Sequence, residues 1–212
     1  MSTERLLTVV TAGLSQPSST RLLADRLTTA ATDELALSGV PARVEVVELR
    51  DHAHAIVDAM LTGFASGDLA EAVRHVERAD GLVMVTPVFT ASYSGLFKSF
   101  ADILDPEALT GTPVLLGATG GTERHTLALD YALRPLLSYL HADVVPTAVY
   151  AATSDWAAAG TDASRDGGTA GLPRRIARAG RELATAVAAR EARREQADPF
   201  ADTPSFSDLL GG

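Results

Sequence analysis

Apolar residues along this chain fall into two alternating patterns. Short β-branched and leucine runs at 6–10, 82–86, 113–118 and 144–150 have the character of buried strands, and residues 42–49 alternate polar with apolar, as on a strand with one exposed face. Between these runs, apolar positions recur at helical spacing. The spacing predicts a helix from Arg21 to a fade near Ser38-Gly39, a second over 68–78 stopped by Ala79-Asp80-Gly81, and a third over 96–104. Pro87 is expected to end the strand before it, and Thr119 to Thr122 to form a tight turn into a long fourth helix. On that helix Leu127, Leu129, Tyr131, Leu133, Leu136, Leu137 and Leu140 nearly encircle the axis. Pro173 opens a last amphipathic helix with Ile176, Leu183 and Val187 on one stripe. Residues 51–67 fit a short helix or an irregular lid equally well, 152–172 read as a long loop carrying Trp156, and 197–212 as a polar tail with Phe200, Phe206, Leu209 and Leu210.

Strands alternating with helices imply an α/β chain with a doubly wound, five-stranded parallel sheet, because parallel pairing needs crossovers and the helices cover both faces. An exposed second strand suits an edge and the order 2-1-3-4-5. One domain over 1–196 followed by the tail is expected. In such a sheet ligands bind beyond the carboxyl ends of the strands, at the switch point between the first and third.

Composition narrows the chemistry. The 212 residues are 46% hydrophobic and contain no cysteine, which removes disulfides, thiolate catalysis and Cys-ligated metal. His52 and His54 lie in an irregular stretch without a partner set, so no metal site is expected. A net charge of −9 argues against non-specific nucleic-acid binding, and Arg174, Arg175, Arg178 and Arg181 at helical spacing read as a solvated face. Met1-Ser2-Thr3-Glu4-Arg5 leads straight into a strand and no apolar run reaches spanning length, so a cytoplasmic protein with no membrane association is expected.

The candidate chemistry lies in three polar loops on one predicted rim. After the first strand come Thr11-Ala12-Gly13-Leu14-Ser15-Gln16-Pro17-Ser18-Ser19-Thr20 and then a helix, an arrangement that aims free N–H groups and a helix dipole at an anion. No lysine makes it a Walker loop, a lone Gly13 is not a dinucleotide fingerprint, and Gly13-Leu14-Ser15-Gln16-Pro17 breaks the hydrolase elbow. Taken alone, the hydroxyls fit a helix cap as well as a phosphate cradle. The loops from Pro87 to Gly95 and from Thr119 to Thr122 converge on the same rim and favour the cradle.

At these loops the sequence resembles the flavodoxin-like NAD(P)H-dependent FMN reductases, and more narrowly those that supply reduced flavin to two-component monooxygenases of the alkanesulfonate and luciferase-like kind. The family's phosphate loop commonly reads Gly-Ser-x-Arg-x-x-Ser, with Asn or Thr two positions on. Here Gly13, Ser15, Ser18 and Thr20 share its frame, with Gly13 standing where that pattern has Ser and Ser15 where it has Arg. Thr86-Pro87-Val88-Phe89-Thr90, continuing to Gly95-Leu96-Phe97-Lys98, resembles the segment whose backbone lies along the isoalloxazine. Ala118-Thr119-Gly120-Gly121-Thr122, with His125 and the run from Leu127 to Pro135, resembles the sulfonate-linked reductases most closely.

The resemblance implies FMN and NAD(P)H as cofactors. It places Gly13, Ser15, Gln16, Ser18, Ser19 and Thr20 about the phosphate, Pro87, Val88, Phe89 and Thr90 along one ring face, and Thr119, Gly120, Gly121 and Thr122 near flavin N1 and O2. Hydride transfer between stacked cofactors needs no catalytic side chain. His125 has no assigned role; Tyr93, Phe97 and Phe100 suit core or interface packing, and Asp102 and Asp130 suit caps or intersubunit partners. A monooxygenase partner and a homodimer or homotetramer are further implications. The alternatives are a quinone or azo reductase with tightly held FMN and, further off, a flavodoxin-type electron carrier. A receiver domain is excluded by Ala12-Gly13 and Thr86-Pro87, which stand where its acidic residues would be.

Overall fold

The computed structural model describes residues 4–158 and 171–191. β1 (Arg5–Thr11) is buried along its whole length, and α1 (Ser19–Leu37) returns over the sheet to β2 (Ala42–Glu48), which is the predicted edge, although its exposure does not alternate: Val44 and Val46 are exposed and only Val47 is buried, because no strand pairs with its outer side. A helical turn (Leu49–His52) and α2 (Ala53–Thr62) settle the ambiguous 51–67 stretch as largely helical, with Gly63 closing α2 in the left-handed conformation. α3 (Gly67–Glu77), β3 (Gly81–Phe89), the short β4 (Ser92–Tyr93), α4 (Gly95–Asp102) and β5 (Pro113–Gly120) follow.

The path through the sheet is β2-β1-β3-β5-β6, parallel throughout, with β4 antiparallel on β3 and β7 (Val149–Ala152) also on β5. Leaving the hairpin strand β4 aside, this is the expected 2-1-3-4-5 arrangement, with the reversal between β1 and β3. The fifth position is split into β6 (Asp143–Val144) and β7, because Pro146 lies between them and cannot donate to a ladder.

Three other expectations are corrected. Pro87 does not end its strand: β3 has left β1 beyond Val85 but still pairs Pro87 with Thr119 of β5, and a proline without an N–H is tolerated on a strand paired on one side only. Thr119 to Thr122 is not a tight turn into a long helix, since Thr119 and Gly120 finish β5. A 3-10 turn (Glu123–His125), a π-helical turn (Leu129–Leu133) and the short α5 (Arg134–Tyr139) then break the predicted helix into pieces. Its encircling apolar residues divide accordingly, with Leu129, Leu133, Leu137 and Leu140 buried, Leu136 half-buried and Leu127 and Tyr131 exposed, as is the neighbouring Tyr139. Trp156 sits not in a loop but on α6 (Thr153–Ala158), with the Arg26 guanidinium 5.0 Å from its ring centre. The tail at 197–212 lies outside the described residues.

Two apolar layers sandwich the sheet. α1 and α7 (Leu172–Ala189) pack on Leu7, Val9, Val83, Val85 and Leu115; Ile176, Leu183 and Val187 form the expected stripe. α2, α3, α4 and α5 cover the other face, where Val10, Leu82, Met84 and Leu116 meet Phe97 and Phe100. These two phenylalanines belong to the core, with Tyr93 half-buried beside Phe97. α1 and α7 cross so closely at Gly180 that a Cβ there would lie 2.6 Å from the Cβ of Ala30. Of the late arginines, Arg174, Arg178 and Arg181 are exposed as expected, with Arg178 pairing to Glu182 and Arg181 to Glu34, while Arg175 is half-buried and pairs with Asp155.

Candidate active site

The switch point gathers the three loops as expected. Ala12 N–H donates to the Val85 carbonyl at 3.0 Å, which holds the start of the first loop against β3. Beyond it, the amide groups of Gly13, Leu14, Ser15, Gln16, Ser18, Ser19 and Thr20 donate to no other described residue. Ser18 is the N-cap of α1, accepting from Arg21 N–H at 3.2 Å, so the cap that the sequence allowed is realised. Its hydroxyl leans on the backbone of Gly13, where a Cβ would come within 2.1 Å of it. Ser15, Gln16 and Ser19 are exposed, Ser18 half-buried and Thr20 buried.

Thr20 and Thr119, predicted on two separate loops, share a buried hydrogen bond of 2.8 Å between their hydroxyls. That bond ties the first loop to the end of β5. At the end of β1, the Thr11 hydroxyl is buried with no partner, and strand alternation puts it on the α1 face with Val9 and Leu7. The cue for Thr11 was a hydroxyl closing an apolar strand just ahead of the loop.

The second loop is a β3–β4 hairpin. Its two connecting residues, Thr90 and Ala91, have φ of +49° and +70°, a pair that favours glycine and asparagine and that a β-branched threonine rarely adopts. Phe89 is half exposed at the tip of β3. Behind the hairpin, Ser94 N–H donates to the Thr86 hydroxyl at 3.1 Å while Ser94 Oγ caps α4 through Phe97 N–H, so the polar residues of this segment hold its shape. Lys98 and Asp102 pair along α4, and Asp130 pairs with Arg134. Both acids thus have intrachain partners four residues away.

In the third loop the two glycines differ. A Cβ on Gly120 would lie 2.1 Å from the Tyr150 hydroxyl, whereas one on Gly121 would meet no protein atom within 4 Å. Tyr150, missed in the sequence because it closes an apolar strand like any core aromatic, donates its hydroxyl to the Thr122 carbonyl at 2.7 Å. Burial, reinforced by Asp155, raises its pKa, so the phenol stays protonated and keeps donating. Arg175 clamps the far side, donating to the Tyr150 carbonyl at 2.6 Å and pairing with Asp155 at 2.7 Å. Gly121 and Thr122 are exposed, their N–H groups donate to no described residue, and His125 lies on the exposed 3-10 turn beyond them.

These features fit a phosphorylated flavin. Free amides and small hydroxyls suit a phosphate without a competing carboxylate on the loop, and the open side of Gly121 leaves room for a ring. A sequence profile described as NADPH-dependent FMN reductase matches residues 6–157. The chain belongs to that family. Its activity is accordingly that of an oxidoreductase in which NAD(P)H reduces FMN. Among its relatives, an FMN reductase (NADPH) of Pseudomonas aeruginosa is 42% identical over 147 residues, 69% of this chain and 76% of the relative. An NADH-dependent FMN reductase, SfnE, of Pseudomonas putida is 36% identical over 74% of this chain and 82% of its own length. An oxidoreductase structure from Corynebacterium diphtheriae superposes with a TM-score of 0.80 at 46% identity, covering 89% of this chain and 99% of its own. An NADH:FMN oxidoreductase (EmoB) structure gives a TM-score of 0.73 at 28% identity, over 92% and 96%. No helix among the described residues is long and apolar enough to cross a membrane.

Proposed function

We propose that the chain binds FMN across the carboxyl rim of the sheet as an exchangeable ligand, and releases it reduced to a flavin-dependent monooxygenase in the cytoplasm. The observation that carries this reading is the run of unpartnered N–H groups between Gly13 and Thr20, at the start of α1 and beside the hydroxyls of Ser15, Ser18 and Ser19. Bound FMN supplies the redox chemistry by accepting a hydride from the nicotinamide. The protein's part is to bind and orient. The 13–20 loop holds the phosphate, the backbone from Pro87 to Thr90 walls one ring face, and the N–H groups of Gly121 and Thr122 serve the ring edge where reduction leaves negative charge. Thr119 and Gly120 set the height of that turn through Thr20 and Tyr150.

Release to a monooxygenase is supported by the resemblance of the 118–135 segment to flavin-supplying reductases. A homodimer or homotetramer is supported by the exposed Leu127, Tyr131 and Tyr139, an apolar surplus that a second copy would cover.

The test is NADH and NADPH oxidation by the purified protein with and without added FMN or riboflavin, with light scattering on the same sample. FMN should stimulate oxidation well beyond riboflavin at low concentration, because only FMN engages the loop after β1. Equal stimulation by the two flavins would sink the cradle. Oxidation that is independent of added flavin, in a protein that stays yellow through gel filtration, would favour the tightly bound quinone or azo reductase instead.

A further inference from the structure

The loop after β1 carries no cation of its own between Gly13 and Thr20, yet the fold brings a guanidinium to it from beyond another strand. We propose that Arg50, on the helical turn after β2, is the cation of the phosphate cradle: it braces the outer part of the loop and makes its surroundings attractive to a dianionic monoester. The proposal rests on the reading of the 13–20 loop as the FMN phosphate site.

Arg50 Nη1 donates to the Ser15 carbonyl at 3.3 Å. Gln16 Oε1, in the amide orientation that its neighbours require, accepts from Nη1 at 2.9 Å and from Nη2 at 2.5 Å. The guanidinium is in turn held by Glu48, 2.9 Å from Nη2, and the other Glu48 oxygen pairs with Arg21 in the first turn of α1. One carboxylate is therefore shared between two guanidiniums that flank the loop. The remaining acids, Asp51 against Arg50 and Asp25 against Arg21, are 66% and 50% exposed, where water and salt screen them, while Arg50 is only 20% exposed. Arg50 Nε is buried and faces Asp51 Oδ1 at 3.4 Å without making a hydrogen bond, so the fork that meets the loop is the Nη1 and Nη2 pair.

A chain of net charge −9 repels an anionic ligand at long range, so a local positive site matters more here than in a neutral protein. Neutral hydroxyls and amides alone would meet the phosphate with hydrogen bonds but no compensating charge. Because Arg50 touches the loop through Ser15 and Gln16, it is a positioning residue whose charge acts across them. The sequence hides it: Arg50 follows the edge strand, some 30 residues beyond the loop it serves.

Fluorescence titrations of the full chain with FMN and with riboflavin, at low and high salt, test this on Arg50→Gln, Arg50→Lys and Gln16→Ala, with thermal unfolding of each. Arg50→Gln should weaken FMN about tenfold and flatten the salt dependence of its binding, with riboflavin affinity unchanged. Arg50→Lys keeps the charge but not the fork, so it should retain the salt dependence and lose only part of the affinity. Gln16 is exposed, and its replacement should weaken FMN without lowering the unfolding temperature. Equal losses for both flavins, or unaltered FMN affinity in Arg50→Gln, overturn the proposal while leaving the loop's assignment intact. Should the unsubstituted chain bind FMN and riboflavin equally, the assignment of the loop falls first and the role of Arg50 with it.

Discussion

Gly120 and Gly121 stand side by side, and a side chain would do different damage at each. At Gly120 the obstacle is the Tyr150 hydroxyl, 2.1 Å from a Cβ, so Gly120→Ala should cost about 1–3 kcal/mol as an overpacked site. Adding Tyr150→Phe removes the clashing oxygen and should recover a large part of that loss in thermal unfolding. At Gly121 the space is free of protein, so Gly121→Val should fold with ordinary stability and fail to bind FMN. A Gly121→Val protein with unchanged FMN affinity would remove this turn from the ring site. Sequence alone made the pair look equivalent, since both read as a turn and the partner that tells them apart enters from β7. The same holds for Thr20, legible as a loop hydroxyl but not as the partner of Thr119.

Among the elements, the connection between β6 and β7 depends on one carboxylate. Glu182 of α7 accepts from Thr147 N–H at 2.7 Å and from the Thr147 hydroxyl at 2.8 Å, and pairs with Arg178. Burial works against its charged form, but the hydrogen bonds from Arg178 and Thr147 outweigh it and hold the carboxyl below its usual pKa. A depressed folded-state pKa contributes stability that is complete above the unfolded value, about 4.3, and is lost as pH falls through the lowered one. Glu182→Gln should therefore be less stable at neutral pH and lose less on acidification, as urea unfolding at pH 7 and near pH 3 would reveal. A parallel loss in both proteins would mean that the acid transition is set elsewhere. The buried strands β1, β3 and β5 and the helices α1, α3, α4 and α7 were legible because their periodicity matches their burial, whereas β2 alternates in sequence but leaves Val44 and Val46 exposed. The segment after β5 was not, because its apolar residues satisfy a helical count while serving a 3-10 turn, a π turn and α5 in succession. The β3–β4 hairpin was hidden for a related reason: Pro87 reads as a stop, and nothing in Thr90-Ala91 advertises two left-handed residues.

At the scale of the whole molecule, the topology was recoverable because a parallel sheet of alternating elements leaves few orders open and puts its ligand loops at one switch point. What the topology leaves unspecified is how those loops communicate. The buried bond between Thr20 and Thr119 makes the helix proposed to receive the phosphate and the strand that ends at the proposed ring turn two sides of a single joint. Order imposed on either side is passed to the other, and linkage requires the effect to run both ways. Inorganic phosphate, which occupies only one half of the rim, should therefore tighten riboflavin, which occupies only the other. In Thr20→Val, which keeps the bulk but not the hydroxyl, the two titrations should become independent. If phosphate leaves riboflavin affinity unchanged in the unsubstituted chain, the joint transmits nothing. If the coupling is present, the two halves of the cofactor are cooperative ligands, and FMN binds more tightly than its separate pieces would predict because each end prepares the seat of the other.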